Sequence, residues 1–182
     1  MSCDLSLGRL EPCKNNVGGI DKIYFVNFGD MGTVTTGSDD SITDMTGTFS
    51  YYVYEVKSDA TNLEEAINSD RNNGTTFFTQ TINITLKNKS KEMNKQLKLM
   101  AYGRPHVVIW DRNGKAWLAG LNRGCEVTGG SIVTGGAMGD LYGYTIVLTG
   151  QEELPANIID GATAADPFAG MTSASATPVE EI

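Results

Sequence analysis

The stretch "TTFFTQTINITLKNK", residues 75–89, decides the fold class that the sequence predicts. Positions 78, 82, 84 and 86 hold apolar residues, whereas positions 79, 81, 83 and 85 hold threonine or asparagine. A two-residue period of this kind is typical of a β-strand that is buried on one face. The stretch therefore predicts a strand with one face on a core and the other on water or a polar partner.

Further strand patterns lie on both sides of this stretch. Aromatic and β-branched residues bounded by glycine, and an Asn-Gly turn signal, are the features that indicate them. The segment 29–47 between two of these strands is polar and indicates a loop or a long hairpin tip. The predicted strands are 19–28, 50–57, a hairpin over 106–121 that turns at 111–114, 125–136 and 140–150.

Two short helices are predicted. Thr61 and Glu64 form a capping-box pattern ahead of apolar residues, and the segment stops at an Asn-Asn-Gly sequence at 72–74. The second helix covers 90–103, where methionine and leucine recur at helical spacing before Gly103.

Strands do not alternate regularly with helices, which argues against a doubly wound parallel sheet. We therefore predict a mainly β protein, an antiparallel β-sandwich or barrel-like domain with two short flanking α-helices. The predicted domain covers residues 19–159, between extended arms at 1–18 and 160–182. The apolar runs are too short to span a bilayer, and the first residues lack the apolar core of a secretion signal.

Charge is distributed unevenly along the chain. Residues 1–123 carry fourteen basic and fourteen acidic side chains, so the net charge of −8 lies in the last third, which has no lysine or arginine. A basic segment, 87–104, precedes this acidic end. We predict that the two sets meet at an interface between copies of the chain, with Phe168 as an apolar contact. The basic set is Lys87, Lys89, Lys91, Lys95, Lys98 and Arg104, and the acidic set is Glu152, Glu153, Asp160, Asp166, Glu180 and Glu181.

Residues that could perform chemistry are few. His106 is the only histidine and no serine or cysteine motif surrounds it. Cys3, Cys13 and Cys125 have no metal-ligand spacing, although a bridge between the first two stays open. The glycine-rich run at 128–140 matches no phosphate-binding motif, and the acidic loop at 37–44 lacks a calcium-loop pattern. We predict a protein that is not an enzyme and uses no metal or cofactor.

The block from residue 75 to residue 159 resembles the tail tube proteins of bacteriophages and their relatives. In that family the closing strand often contains Gly-Asp-x-x-Gly-Tyr and ends at Gly-x-Glu-x-x-Pro-Ala. The matching positions here are Gly139, Asp140, Gly143, Tyr144, Gly150, Glu152, Pro155 and Ala156. Residues 1–18 and 160–182 have no counterpart in the resemblance.

The resemblance implies a structural virion protein, located in the tail and assembled in the host cytoplasm. Six copies would form a ring, and stacked rings would form a tube through which genomic DNA passes without specific binding. Tail sheath, baseplate or connector proteins would be further partners, and the chain would not insert into a membrane. Another virion role, capsid decoration or head–tail connection, is an alternative, and a cytosolic β-rich ligand-binding protein is a third.

Overall fold

A computed structural model describes Leu5 and residues 7–180 of the chain. The protein is mainly β, with 47% of its residues in strands and 7% in helix, which confirms the predicted fold class at this level. The elements of the described part are, in chain order, β1 (Ile20–Val26), β2 (Val34–Thr36), β3 (Ile42–Met45), β4 (Gly47–Glu55), β5 (Asn62–Asp70), β6 (Thr75–Lys87), α1 (Lys91–Tyr102), β7 (His106–Asp111), β8 (Ala116–Ala119), β9 (Glu126–Val133), β10 (Gly143–Glu152), β11 (Asn157–Ile158) and β12 (Ala174–Val179).

The strands form three sheets. A six-stranded sheet has the order β11-β8-β7-β1-β4-β12, a four-stranded sheet has the order β5-β6-β10-β9, and β2 pairs with β3 in a hairpin. All neighbours run antiparallel except β12, which lies parallel to β4. The strand predicted from residues 75–89 is confirmed as β6, the centre of the four-stranded sheet together with β10.

One core cluster joins the two larger sheets. The even-numbered side chains of β6 and β10 contribute Ile82, Ile84, Ile146 and Leu148 to it, and β1 contributes Ile23 and Phe25. Helix α1 adds the buried Met100. Apolar burial of this kind is the dominant favourable contribution to folding.

A second core cluster lies on the other face of the six-stranded sheet. Tyr24 and Val26 of β1 and Val108 of β7 contact this cluster, whereas their sequence neighbours contact the first. The sheet is therefore buried on both faces at its centre, which explains why β1 and β7 contain the longest apolar runs of the chain. The residues that cover the second face include Ile42, Met45, Ile159, Phe168 and Met171.

The predicted helix after Thr61 is wrong, because this segment is strand β5. All nine residues of β5 pair with β6, and alternation along the strand places Leu63 and Glu65 on the core side. The Thr61 hydroxyl accepts a hydrogen bond from the Thr85 N–H at 3.3 Å and therefore does not cap a helix. Pairing with a long neighbouring strand overrides a local capping signal that is worth about 1 kcal/mol.

The predicted helix at 90–103 is confirmed as α1. The Ser90 hydroxyl caps it by accepting a hydrogen bond from the Met93 N–H at 3.0 Å. Its C-terminal end is closed by Gly103, whose N–H donates to the carbonyl groups of Leu99 and Met100. This is the only helix in the described part of the chain, so the helical complement is one and not two.

The two ends of the chain differ. Residues 7–18 contain neither strand nor helix and are exposed. Residues 160–180 pack on the fold, since Phe168 and Met171 are buried and β12 extends the six-stranded sheet. The segment that was predicted as a C-terminal extension therefore covers the second core cluster of its own chain.

Candidate functional site

The outward face of the four-stranded sheet carries a row of threonine and asparagine side chains. Its β6 side chains are the odd-numbered residues from Thr79 to Thr85, which pair across the sheet with the odd-numbered residues of β10. None of these side chains belongs to either core cluster. The face is therefore free to contact water or a polar partner.

Hydrogen bonds between neighbouring strands order this face. Asn83 Nδ2 donates to Asn62 Oδ1 at 2.9 Å, and Asn68 Nδ2 donates to Thr79 Oγ1 at 2.8 Å. On the same face, between β9 and β10, the hydroxyl groups of Ser131 and Thr145 lie 2.8 Å apart. Cross-strand pairs of this kind contribute roughly 0.2–1 kcal/mol each, so the face is a fixed polar layer.

The charge of this face is negative. Between residues 75 and 85, β6 has no ionisable side chain, and β5 and β9 contribute carboxylates at Glu64 and Glu126. Binding to nucleic-acid phosphates depends on lysine and arginine. Lys87, the last residue of β6, has the same odd-numbered parity as this face, so the stretch without cations on β6 ends at Thr85.

Both edges of the four-stranded sheet are open. Among the described residues, β5 pairs only with β6, and β9 pairs only with β10. Each edge strand displays an isoleucine, Ile67 at 71% exposure on β5 and Ile132 at 57% exposure on β9. An open edge with exposed apolar side chains is a template for pairing with another chain.

The directions of the two edges are compatible with each other. The three antiparallel pairings of the sheet alternate its strand directions, so β5 and β9 run in opposite directions. If copies are arranged head to tail, β5 of one copy would meet β9 of the next as an antiparallel pair. Such a heterologous contact produces a closed ring when the rotation closes.

The predicted basic set lies in and around α1 and is mostly exposed. Lys87 Nζ donates to the Lys57 carbonyl at 3.3 Å, and Lys89 lies over the ring of Tyr142 at 5.5 Å. Lys91 Nζ is 3.5 Å from a carboxylate oxygen of Glu92. The remaining members are Lys95 and Lys98 on α1, and Arg104, whose guanidinium lies 4.0 Å from the ring centre of Phe28.

The predicted acidic set is divided between the interior and the surface. Glu152 is buried, and its Oε1 accepts hydrogen bonds from the N–H groups of Asn122 and Arg123 at 3.0 and 2.7 Å. Glu153 is exposed and pairs with Arg123 at 3.3 Å. Glu152 therefore holds the turn of its own chain after β8.

The acidic residues near the C-terminal end also have partners within the chain. Asp160 Oδ2 accepts from the Ser41 hydroxyl at 2.8 Å, and Asp166 Oδ1 accepts from the Phe168 N–H at 2.9 Å. Glu180 is exposed, and Glu181 lies outside the described residues. None of the ion pairs in the described part joins the basic set to the acidic set.

Phe168 is a core residue of its own chain. It is 3% exposed, and its ring centre lies 5.1 Å from that of Phe49 and 5.3 Å from that of Tyr51. The predicted interface role is not compatible with this burial unless residues 160–180 detach. The sequence signal, an isolated phenylalanine in a polar tail, does not distinguish a contact to another copy from a contact to the chain itself.

Several hydrogen-bonded polar side chains are buried beside the first core cluster, and the sequence patterns did not predict them. Gln80 is 1% exposed, its Oε1 accepts from the Gly120 N–H at 2.8 Å, and its Nε2 donates to Glu65 at 3.5 Å. Glu65 also accepts from the Ala156 N–H at 2.8 Å. The only available signal was a glutamine at an inward position of an otherwise apolar strand face.

His106 is buried next to the same Gly120 and is held by hydrogen bonds to the backbone. Its Nδ1 lies 2.7 Å from the Gly120 carbonyl oxygen, so Nδ1 carries the proton and Nε2 can accept from the Gly29 N–H at 3.5 Å. Burial lowers the pKa of His106, which favours the neutral ring. Burial also raises the pKa of the Cys125 thiol to about 12.

Within the described ranges, no group of three or more histidine, cysteine, aspartate or glutamate side chains could hold a metal ion. No helix in the same part of the chain combines the length and the apolar character needed to cross a bilayer. Comparisons of the chain with protein-family models, with curated proteins and with solved structures gave no match.

Proposed function

We propose that this chain is a self-assembling structural subunit of a bacteriophage tail tube or a related injection tube. The observation that carries the proposal is the four-stranded sheet, whose outward face has no lysine or arginine between residues 79 and 85 of β6 and whose two open edges run in opposite directions. The subunit would be a sandwich-like unit in which this sheet forms the inner layer of the tube. The number of six copies per ring is inferred from the resemblance of residues 75–159 to tail tube proteins.

Joining these edges would solve two physical problems of the isolated chain. Six copies would contribute twenty-four strands to one barrel, and barrels of about 16–18 strands already enclose an aqueous channel. Closure removes open edges, and each edge isoleucine would lie on the core side of the sheet. The threonine and asparagine side chains would then line the channel through which DNA passes.

Charge would add to contacts between copies or between rings. Lys95 and Lys98 are exposed on α1, and Glu153, Asp160 and Glu180 are exposed acidic candidates. Glu152 and Phe168 are left out of this surface because they are buried in their own chain. Each exposed pair would contribute about 0–1 kcal/mol, so the effect would be collective and would weaken with salt.

Charged substitutions at the open edges test the proposal. We expect Ile67→Lys and Ile132→Lys each to abolish tubes seen by negative-stain electron microscopy, because a lysine at a sheet edge opposes pairing between chains. Leu99→Lys, at a 55% exposed position on α1, is the matched control and should keep the tubes. At a concentration where the protein is monomeric, circular dichroism and the melting temperature should be unchanged in all three variants, because assembly itself would raise the apparent melting temperature.

The unmodified protein separates the alternatives. Stacked hollow tubes are expected, and closed rings that do not stack would favour a head–tail connector. Clusters that form only on capsids would favour a decoration protein. A protein that stays monomeric at high concentration and in low salt would contradict the proposed tube and favour the ligand-binding alternative. Tubes that form equally well from both edge-lysine variants would contradict the joining of β5 to β9.

A further inference from the structure

We infer that the N-terminal arm of one copy docks into the groove between α1 and β9 of a neighbouring copy. The segment concerned is the described part of the predicted arm 1–18 that precedes Val17, namely Leu5 and residues 7–16. The inference rests on the proposed ring, because that ring places the β5 edge of one copy against the β9 edge of the next.

The arm displays apolar side chains that its own chain does not cover. Leu5, Leu7 and Leu10 are 99%, 90% and 91% exposed. The described residues from 7 to 12 make no hydrogen bond to the folded part of the chain. These three leucines lie within six positions of the sequence, and their apolar area is available for burial against another surface.

The groove offers a matching apolar surface. It is a cavity of about 550 Å³ between α1 and the open strand β9. Leu97 and Ala101 form its helical wall, and Val127, Ile132 and Ile146 form its wall on the sheet. The exposure of Ile132 indicates that nothing in the described part of the chain fills the groove.

The arm leaves the fold at a position close to the β5 edge, so it could reach the groove of a neighbouring copy. Val17 is tied to the turn between β7 and β8, since its N–H donates to Asn113 Oδ1 at 3.0 Å and its carbonyl accepts from Asn113 Nδ2 at 2.8 Å. Val17 also lines a smaller cavity of about 360 Å³ together with Asn62 and Leu63 of β5. The arm therefore departs beside the β5 edge, which the proposed ring places next to the β9 edge and groove of a neighbour.

The length of the arm is also compatible with this contact. Eleven or twelve extended residues span up to about 40 Å, several times the spacing of roughly 4.8 Å between paired strands. The arm contains Glu11 together with Arg9 and Lys14, so the expected contact rests on its leucines and not on charge.

Disulfide cross-linking tests the contact directly. The full-length protein would carry Leu7→Cys and Ala101→Cys, with Cys3→Ser and Cys13→Ser to remove competing thiols, while the buried Cys125 is kept. After oxidation of assembled protein, we expect a ladder of covalent multimers on a denaturing gel without reductant. The matched control pairs Leu7→Cys with Asn68→Cys on the outward sheet face and should give no ladder.

The possible results separate this inference from the proposed function. Tubes without a ladder would overturn arm docking and leave the tube proposal standing. A fast-migrating cross-linked monomer would show that the arm occupies its own groove and would overturn docking between copies. If the unmodified protein forms no rings or tubes, both proposals fail.

A second variant tests the leucines without cysteines. Replacing Leu5, Leu7 and Leu10 by serine should raise the critical concentration for tube formation by about tenfold or more, because apolar burial stabilises the contact. Asn15→Ala with Asn16→Ala is the control in the same arm and should leave that concentration unchanged. An unchanged critical concentration in the serine variant would overturn the inference.

Discussion

Asp44 on β3 binds Ser173 through both of its carboxylate oxygens. Oδ1 accepts from the Ser173 N–H at 3.1 Å, and Oδ2 accepts from the Ser173 hydroxyl at 2.7 Å. Thr172 donates to the same two oxygens, each at 3.0 Å. These hydrogen bonds hold the pKa of Asp44 well below its usual range, and the bond from the Ser173 side chain contributes most. A single carboxylate therefore fastens the start of the C-terminal strand β12.

We predict that Asp44→Asn releases residues 172–180 from β4 at neutral pH, because the charge that attracts four donors is lost. Limited proteolysis with mass spectrometry should show cleavage after residue 171 several-fold faster than in the unmodified protein. Asp70→Asn is the control, since Asp70 accepts hydrogen bonds only in the β5–β6 turn. In the unmodified protein the lowered pKa keeps the clamp intact above about pH 4 and weakens it as the pH falls further. Equal cleavage rates in both variants would contradict the clamp.

Phe168→Ala should destabilise the single chain. The substitution leaves a cavity beside Phe49 and Tyr51 and is expected to lower the free energy of unfolding by about 3–5 kcal/mol. Urea denaturation at a concentration where the protein is monomeric measures this loss, and Ala169→Ser at an exposed neighbouring position is the control. Loss of assembly with unchanged monomer stability would instead identify Phe168 as a contact between copies.

His106 should make stability fall on mild acidification. Its pKa is lowered by burial, so the unfolded chain binds a proton more readily than the folded chain below about pH 6.5. Protonation would also remove the acceptor for the Gly29 N–H. We expect the melting temperature to decrease between pH 7 and pH 5, a range above that in which Asp44 titrates. His106→Gln should reduce this dependence, and a melting temperature that stays constant over that range in the unmodified protein would contradict the assignment.

Lysines on the outward sheet face should convert a passive channel into one that binds DNA. Thr81 and Gln151 lie on this face, and replacing both by lysine adds cations where a polyanion would pass. Tubes of the double variant should retain short duplex DNA in low salt and release it as salt rises. Ser175→Lys with Thr177→Lys on β12 adds the same charge outside this face and should retain much less. Equal retention by the two variants would contradict a channel lined by the four-stranded sheet.

The contrast between β6 and β5 shows what local patterns can predict. The alternation identifies β6 because, from residue 78 to residue 86, its apolar positions follow a two-residue period with a single polar exception, Gln80. Thr61 and Glu64 form a helix-capping pattern, yet residues 62–70 form β5 because the neighbouring β6 supplies a partner for all nine positions. A local signal of about 1 kcal/mol cannot reveal a pairing that depends on a separate segment of the chain.

In the candidate site, too, the sequence indicates some features and not others. The sequence indicated the polar face of β6 and the basic character of α1, because both follow from residue type and period. It could not show that Glu152 and Phe168 are buried, because their partners are distant in the sequence. The backbone groups that bind Glu152 lie 29 and 30 positions away, and the ring that contacts Phe168 lies more than 100 positions away. It also did not indicate which strands are left as edges.

The sequence by itself determined the mainly β character, the strands around residues 75–89 and 140–150, the helix after Ser90 and the uneven charge. These features are encoded in the spacing and chemistry of neighbouring residues, and they need no distant partner. The tertiary structure decided the order of the strands within each sheet, the attachment of the C-terminal segment to Asp44, and the open edges that carry Ile67 and Ile132. Those features depend on which distant segments share a core, because burial and strand pairing are set by contacts across the whole fold.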